Sequence, residues 1–187
     1  MNILLIDIEC TCDDVSPPPR EEMETIEIGA VMGSLSDDGF IVSDELQIYI
    51  KPEYHPVLSK FCTELTGIDQ KTVDQGVSTE LALVELEQWI KSYAPKAWSS
   101  WGKFDFNQLK MEADLKSIRD PLQNLKHLNM KQLFAKKRKH RVGLKKAVEL
   151  SKLEFIGRHH PGIDDARNIA SLLAHDTLLR EAVLSRV

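Results

Sequence analysis

At 187 residues, with 42% hydrophobic and 28% charged side chains, the chain can bury one sizeable core, and none of its apolar runs approaches the roughly 18 residues of a membrane span. Three cysteines, an odd number, argue against a disulfide framework and fit a reducing compartment, so a cytoplasmic location is expected. The net charge of −5 speaks against nucleic-acid binding on average, but residues 1–50 hold one Arg against twelve Asp or Glu, and residues 131–158 hold ten Lys or Arg against two Glu. Phosphate binding needs a local basic surface rather than a basic mean, so the segregation reopens that class.

The opening NILLIDI is a short, branched, apolar run and reads as a buried strand ending at an acidic pair, Asp7 and Glu9. MNILLIDIEC has no basic leader before its apolar residues, unlike a signal peptide. The next segment, CDDVSPPPREEMET, is polar and cannot be helical through its prolines, and it leaves directly from the acids. EIGAVMGS and DELQIYIK, separated by the turn-rich SLSDDG, complete an antiparallel three-strand start. HPVLSKFCTELTGI predicts a short helix stopping at Gly67. Ser78 is the expected N-cap of a longer helix whose apolar stripe is Leu81, Val84, Leu86 and Ile90.

KAWSSWG predicts a strand leading through a glycine turn into a helix, FDFNQLKMEADL, and LKHLNMK a weaker strand. Residues 131–158 contain short helices and the basic run Lys136 to Arg141, readable equally as a phosphate-binding patch or a solvated loop or helix face, while a nuclear-targeting role needs independent support. GIDDARNIASLLAHDTLLREAV closes the chain as a helix with Ala166, Ile169, Leu172 and Leu173 in phase. Strands first, then strand alternating with helix, predict one α/β domain over residues 1–187 with a mixed sheet.

Two acids at i and i+2 of a strand share one face, and placing them at the end of a buried strand is costly without a cation or donors. Asp105 opens the helix after the KAWSSWG strand, where a plain cap is the competing reading, and Asp164 and Asp165 open the final helix. Only one of those neighbours can face a shared site, and spacing alone does not choose between them. Hard oxygen ligands suit Mg²⁺ or Mn²⁺, and two such ions can clamp a phosphodiester. A histidine side chain ordinarily titrates near neutrality, so His160 can take a proton from water. His55, His127, His140, His159 and His175 read as surface or structural, although His159 adjoins the site. Cys10-x-Cys12 lacks a second cysteine pair, which argues against zinc, and no nucleophile elbow or phosphate-cradling glycine loop is present.

With these residues in hand, IDIECTC, SWGKFDFNQL and HHPGIDDARNIA resemble, in order, the three motifs of the DEDDh 3′-to-5′ exonucleases of the ribonuclease-H-like superfamily. The stretch YIKPEYHPVLSKFCTELTGIDQKTVDQG extends the resemblance to the branch containing the eukaryotic histone-mRNA 3′ exonuclease and bacterial members, covering the chain from Asn2 to about Leu179. The resemblance implies a mixed five-stranded sheet flanked by helices, with Asp7, Glu9, Asp105 and Asp165 as metal-site acids holding two Mg²⁺ or Mn²⁺ ions, and His160 as general base. It selects Asp165 over Asp164. It also implies contacts from Glu9, Cys10, Thr11, Phe61, Leu65 and Trp101 to the terminal nucleotides, and release of 5′-mononucleotides from single-stranded RNA ends. A DNA exonuclease of the proofreading or repair kind, or a non-catalytic nucleic-acid-binding module, is the alternative. No segment resembling the eukaryotic SAP domain precedes the motifs, so stem-loop recognition is not carried over, and neither oligomeric state nor membrane association is implied.

Overall fold

The structure, a computed structural model, describes residues 1–187, the side chain of Lys137 excepted. Five strands form one sheet: β1 (Asn2–Cys10), β2 (Thr25–Ser36), β3 (Gly39–Tyr49), β4 (Ala97–Ser100) and β5 (Lys126–Asn129), in the order β3-β2-β1-β4-β5. β1 pairs antiparallel with β2 and β2 with β3, whereas β1–β4 and β4–β5 are parallel. This is the mixed five-stranded ribonuclease-H-like sheet that the motifs implied. The antiparallel start follows from the two-residue turn Asp37–Asp38, and the parallel half from helical crossovers.

Helices cover both faces: α1 (Lys60–Thr66), α2 (Gln70–Asp74), α3 (Thr79–Tyr93), α4 (Phe104–Leu115), α5 (Met130–Arg138), α6 (Leu144–Leu150), α7 (Gly162–His175) and α8 (Thr177–Leu184). The strand period of two divides β1 between two cores. Ile3 and Leu5 join α5, α6, α7 and α8, while Leu4, Ile6, Ile8 and Cys10 join α3 and α4. Asp7 and Glu9 continue the row of Ile3 and Leu5. Among the described residues, no helix is long and apolar enough to cross a membrane.

Three local expectations need correction. In α3 the buried stripe is Ala82, Leu83, Leu86 and Ile90, and Leu81 and Val84 face solvent. Leu86 and Ile90 are buried as expected, and Ala82 and Leu83 complete the buried face in place of Leu81 and Val84. The closing segment is two helices, not one. Asp176 takes an extended conformation between them and caps α8 by accepting the Leu179 N–H at 3.0 Å. The strands also reach further into the expected turn segment SLSDDG, β2 running to Ser36 and β3 starting at Gly39, so the turn narrows to Asp37–Asp38.

The loop after β1 is non-helical through Pro17–Pro19, with a single 3-10 turn at Arg20–Glu22. It is anchored at both ends: Arg20 lies over the Phe104 ring at 4.8 Å, and Met23 O accepts from Gln108 at 2.7 Å. The loop therefore meets the start of α4, beside Asp105.

Candidate active site

β1 delivers Asp7 and Glu9, two residues apart, to the α7 side of the sheet, and α7 brings Asp165 to them. Asp7, Glu9 and Asp165 each offer an oxygen, and these lie within 4.8 Å of one another. The helix can come this close because two glycines remove side chains at the contact. A Cβ on Gly29 would sit 2.1 Å from the Ile163 nitrogen, and one on Gly162 would sit 2.9 Å from the Asp7 carbonyl oxygen.

Asp105 joins from the other face of the sheet. Its Oδ1 accepts the Ile8 N–H at 3.2 Å. The side chain thus ties α4 to β1 between the two acids, which a plain helix cap would not do. Spacing left Asp164 and Asp165 open; the structure separates them. Asp164 pairs with Arg167 at 3.0 Å and accepts from Arg158 N–H, while Asp165 is buried at the carboxylate cluster.

The electrostatics are those of an anion cluster without a counter-charge. Burial first, then Asp105, Asp165, Glu9 and Glu27, push the Asp7 carboxyl well above its ordinary range. Burial, with Glu27 and Asp165 next, pushes Glu9 up to about 9. Burial raises Asp105 to about 6 despite its hydrogen bonds, and it also raises Asp165. The leading influences on Asp7 and Glu9 all raise the pKa, and no lysine or arginine is among them. A hard divalent cation bound by these oxygens would supply the missing charge, so the residues fit such an ion. Cys10, Cys12 and Cys62 are free thiols and enter none of the possible metal-ligand groups among the described residues.

Two histidines flank Asp165. His159 Nδ1 lies 3.1 and 3.0 Å from the two Asp165 oxygens, so this residue, taken as surface or structural from sequence, touches the cluster directly. His160 stacks on His159 with ring centroids 4.0 Å apart and offers a ring nitrogen to the same Asp165 group. Its φ of +89° is rare for a residue with a Cβ, a local strain of the kind held where a side chain must be aimed. Burial, then His159 and Arg158, lower its pKa below the ordinary 6.5.

The residues expected at the nucleotide divide into three groups. Phe61 and Leu65 on α1 are half-buried and belong to none of the core clusters, so part of each remains available beside the end of β1. Cys10 and Thr11 turn inward: Cys10 packs in the core, and the Thr11 hydroxyl accepts the Glu24 N–H at 3.0 Å. Trp101 is a core residue. It packs against Phe134 and donates its indole N–H to Val142 O at 3.1 Å, leaving 8% of its surface open.

One residue of the site went unnoticed in the sequence: Glu27. It is fully buried on β2, opposite Glu9, and accepts the main-chain N–H of Gly162 and Ile163. A charged residue inside the apolar TIEIGAVM was the available signal. Glu112 is a second such acid, holding Thr25 through both its main-chain N–H (2.9 Å) and its hydroxyl.

The family described as Exonuclease (RNase T) matches residues 4–173. The chain is 32% identical to the 3′-5′ exonuclease Snipper of Drosophila melanogaster over 91% of this chain and 67% of that protein. It is 31% identical to human 3′-5′ exoribonuclease 1 over 91% of this chain and 50% of that one, and 30% identical to ERI1 exoribonuclease 2 of Xenopus laevis over 27% of its length. The chain therefore spans from about a quarter to two thirds of these relatives. Among solved structures, the nuclease domain of 3′hExo, a DEDDh family member bound to rAMP, superposes with a TM-score of 0.82 at 27% identity, covering 99% of this chain and 92% of that one. A 3′-exonuclease structure concerned with recognition of the histone mRNA stem-loop 3′ end gives 0.83 at 25% identity, over 99% and 82%.

Proposed function

The chain belongs to the exonuclease family, within the DEDDh 3′-5′ exonucleases, and from that premise we propose that residues 1–187 form one domain that trims single-stranded RNA from its 3′ end and releases 5′-mononucleotides. The observation that carries this reading is the uncompensated meeting of Asp7, Glu9 and Asp165, with Asp105 fixed to β1 beside them. The family is divalent-metal dependent, and the four acids would hold two Mg²⁺ or Mn²⁺ ions, whose chemistry is stabilisation of charge on the attacking and leaving oxygens. His160 takes the proton from the attacking water, and its lowered pKa keeps the ring neutral for that task at physiological pH. His159 orients Asp165 through its ring nitrogen.

Phe61 and Leu65 offer the terminal base an apolar face, and stacking or packing of that kind is worth roughly 1–3 kcal/mol per base without reading sequence. Glu9 approaches the ribose. The side chains of Cys10 and Thr11 turn inward, so their contacts to a nucleotide run through the main chain. The exoribonuclease names of the relatives support RNA over DNA.

The test is a time course on 5′-labelled single-stranded RNA and DNA of one sequence in Mg²⁺, Mn²⁺ or EDTA. A ladder shortening from the 3′ end, absent in EDTA and in Asp7→Asn, is the expected result. Faster loss of the DNA would replace RNA as the substrate, and no shortening of either would leave a nucleic-acid-binding module.

A further inference from the structure

Beyond the carboxylates, the described surface has a basic groove along the β5 edge. It has a volume of about 560 Å³, and Lys126, His127, Lys136, Lys139, Arg141 and Arg186 are among the residues that line it, with no Asp or Glu side chain. In a chain of net charge −5, such a concentration is not an average property. Neighbouring cations are neutralised within the fold: Arg138 pairs with Asp176 at 2.5 Å and Lys146 with Glu149 at 2.9 Å. Among the described residues, none of the five groove lysines and arginines has a carboxylate partner. A solvated convex face spreads its charges into water. Here they line a concavity, which focuses the positive potential and suits a polyanion.

The groove also lies on the same sheet as the acid cluster. His127 Nε2 lies 3.0 Å from the Ser100 hydroxyl, and Ser100 ends β4, the strand that leads into α4 and Asp105. Asn129, which lines the groove, is the register partner of Ser100, and β4 and β5 run parallel to β1. The groove thus starts at Asn129 on the edge strand β5, which lies two strand spacings or about 10 Å across the sheet from β1, the strand that carries Asp7 and Glu9. It runs from there toward Lys126 and Arg186 at the far end of β5.

We infer that this groove binds the sugar-phosphate backbone of the nucleic acid upstream of the 3′ end being processed. This rests on the exonuclease reading for the identity of the polymer. The groove charges contact phosphates and carry no base specificity, so they lengthen the footprint on a substrate without narrowing its sequence. An anionic membrane shares the charge but is flat, whereas these cations line a concavity on the sheet that carries the acids.

The test compares wild type with Lys136→Gln/Arg141→Gln, both exposed positions, on 5′-fluorescein-labelled U20 RNA in EDTA between 50 and 500 mM salt. Each phosphate contact on a single strand contributes about 0.7 to the slope of log K against log salt. Losing two should flatten the slope by about 1.4 and weaken binding about 25-fold at 0.1 M, taking both proteins to converge at 1 M. The charge-conserving Lys136→Arg/Arg141→Lys variant should bind as wild type. Turnover of the dinucleotide UpU in Mn²⁺ should be the same in all three, because UpU cannot reach the groove. Unchanged U20 affinity and slope in the Gln variant would overturn the groove while leaving the exonuclease reading intact. So would capture by phosphatidylserine vesicles through these residues with U20 indifferent. Lost U20 binding in the Gln variant, with no wild-type turnover of RNA, would sustain the groove and overturn the exonuclease reading.

Discussion

Glu27 on β2 accepts the main-chain N–H of Gly162 at 2.9 Å, joining residues 135 positions apart in the chain. It takes the Ile163 N–H as well, at 3.2 Å. α7 has no side-chain cap of its own, so an acid on a neighbouring strand performs that service. Asp165 lies in the first turn of α7, and its position over Asp7 therefore depends on this bond pair.

Replacing Glu27 by Ala would strand two buried N–H groups, and each stranded group costs roughly 1–3 kcal/mol. The expected outcome is a lowered melting temperature and a fall in kcat larger than the change in KM, with Glu27→Gln restoring only part of the stability, because its amide has one acceptor oxygen for the two N–H groups. Thermal melts and steady-state kinetics of both variants check this. Wild-type kcat in Glu27→Ala would remove the residue from any positioning role.

Gly29→Ala tests the close approach of strand and helix. A Cβ 2.1 Å from the Ile163 nitrogen and 2.2 Å from the Gly162 carbonyl carbon meets main chain rather than a movable side chain, so α7 must shift. Overpacking of this sort costs about 1–3 kcal/mol. Because the displaced turn carries Asp165, metal affinity should fall together with stability. Calorimetric titration with Mn²⁺ showing wild-type affinity would contradict the linkage.

The acids make a signed prediction about pH. Asp7, Glu9, Asp105 and Asp165 all have raised folded-state pKa values, so each contributes stability that is complete below its ordinary value. That stability is lost as pH rises through the folded value, about 6 for Asp105 and about 9 for Glu9. Metal-free protein should therefore melt at progressively lower temperature from pH 5 to pH 9. Added Mg²⁺ or Mn²⁺ should raise the melting temperature most at the alkaline end, where no protons remain to be displaced. Asp7→Asn should melt a few degrees above the metal-free wild type at pH 8 while losing turnover. A melting temperature that rises with pH in EDTA would refute the account.

For His160 the shift is downward from 6.5, so the ring is neutral over more of the physiological range. The rate should rise with pH in the acid range and level off at a lower pH than an unperturbed histidine would give. His160→Asn is the informative variant, since Asn tolerates the left-handed backbone found at φ +89° whereas Ala would add strain of its own. A loss of 10²–10⁴-fold in kcat, with the acid limb abolished, is expected for a general base. A preserved limb would assign the proton transfer elsewhere, with His159 the next residue to change.

Sequence made the site's carboxylates legible because a strand ending in alternating acids, a helix opened by Asp105 and the His160-x4-Asp165 spacing are each local patterns. The sheet was legible for the same reason: β1 is a continuous apolar run, and the Asp37–Asp38 turn marks the hairpin. Glu27 was not legible as a positioning residue, because its partners lie 135 and 136 positions away and nothing near it in sequence predicts them. The phase of α3 was misread because Leu81 and Val84 satisfy a helical stripe as well as Ala82 and Leu83 do; only the sheet decides which is buried. Trp101 shows the same limit, since an aromatic next to a motif can be a platform or a core residue, and its bond to Val142 depends on a loop 41 positions on.

The row of alternate positions on β1, apolar at Ile3 and Leu5 and acidic at Asp7 and Glu9, also proofreads the assembly of the sheet. A slip of one residue against β2 would turn both acids into the aliphatic layer under α3 and α4 and send Ile6 and Ile8 to the acid cluster. Misregistered chains are therefore disfavoured twice over, by ionisable groups in hydrocarbon and by the loss of packed isoleucines. The residues that could hydrolyse a phosphodiester are in this sense also the alignment marks of the fold, and substitutions that silence the chemistry should loosen the fidelity with which β1 finds its place.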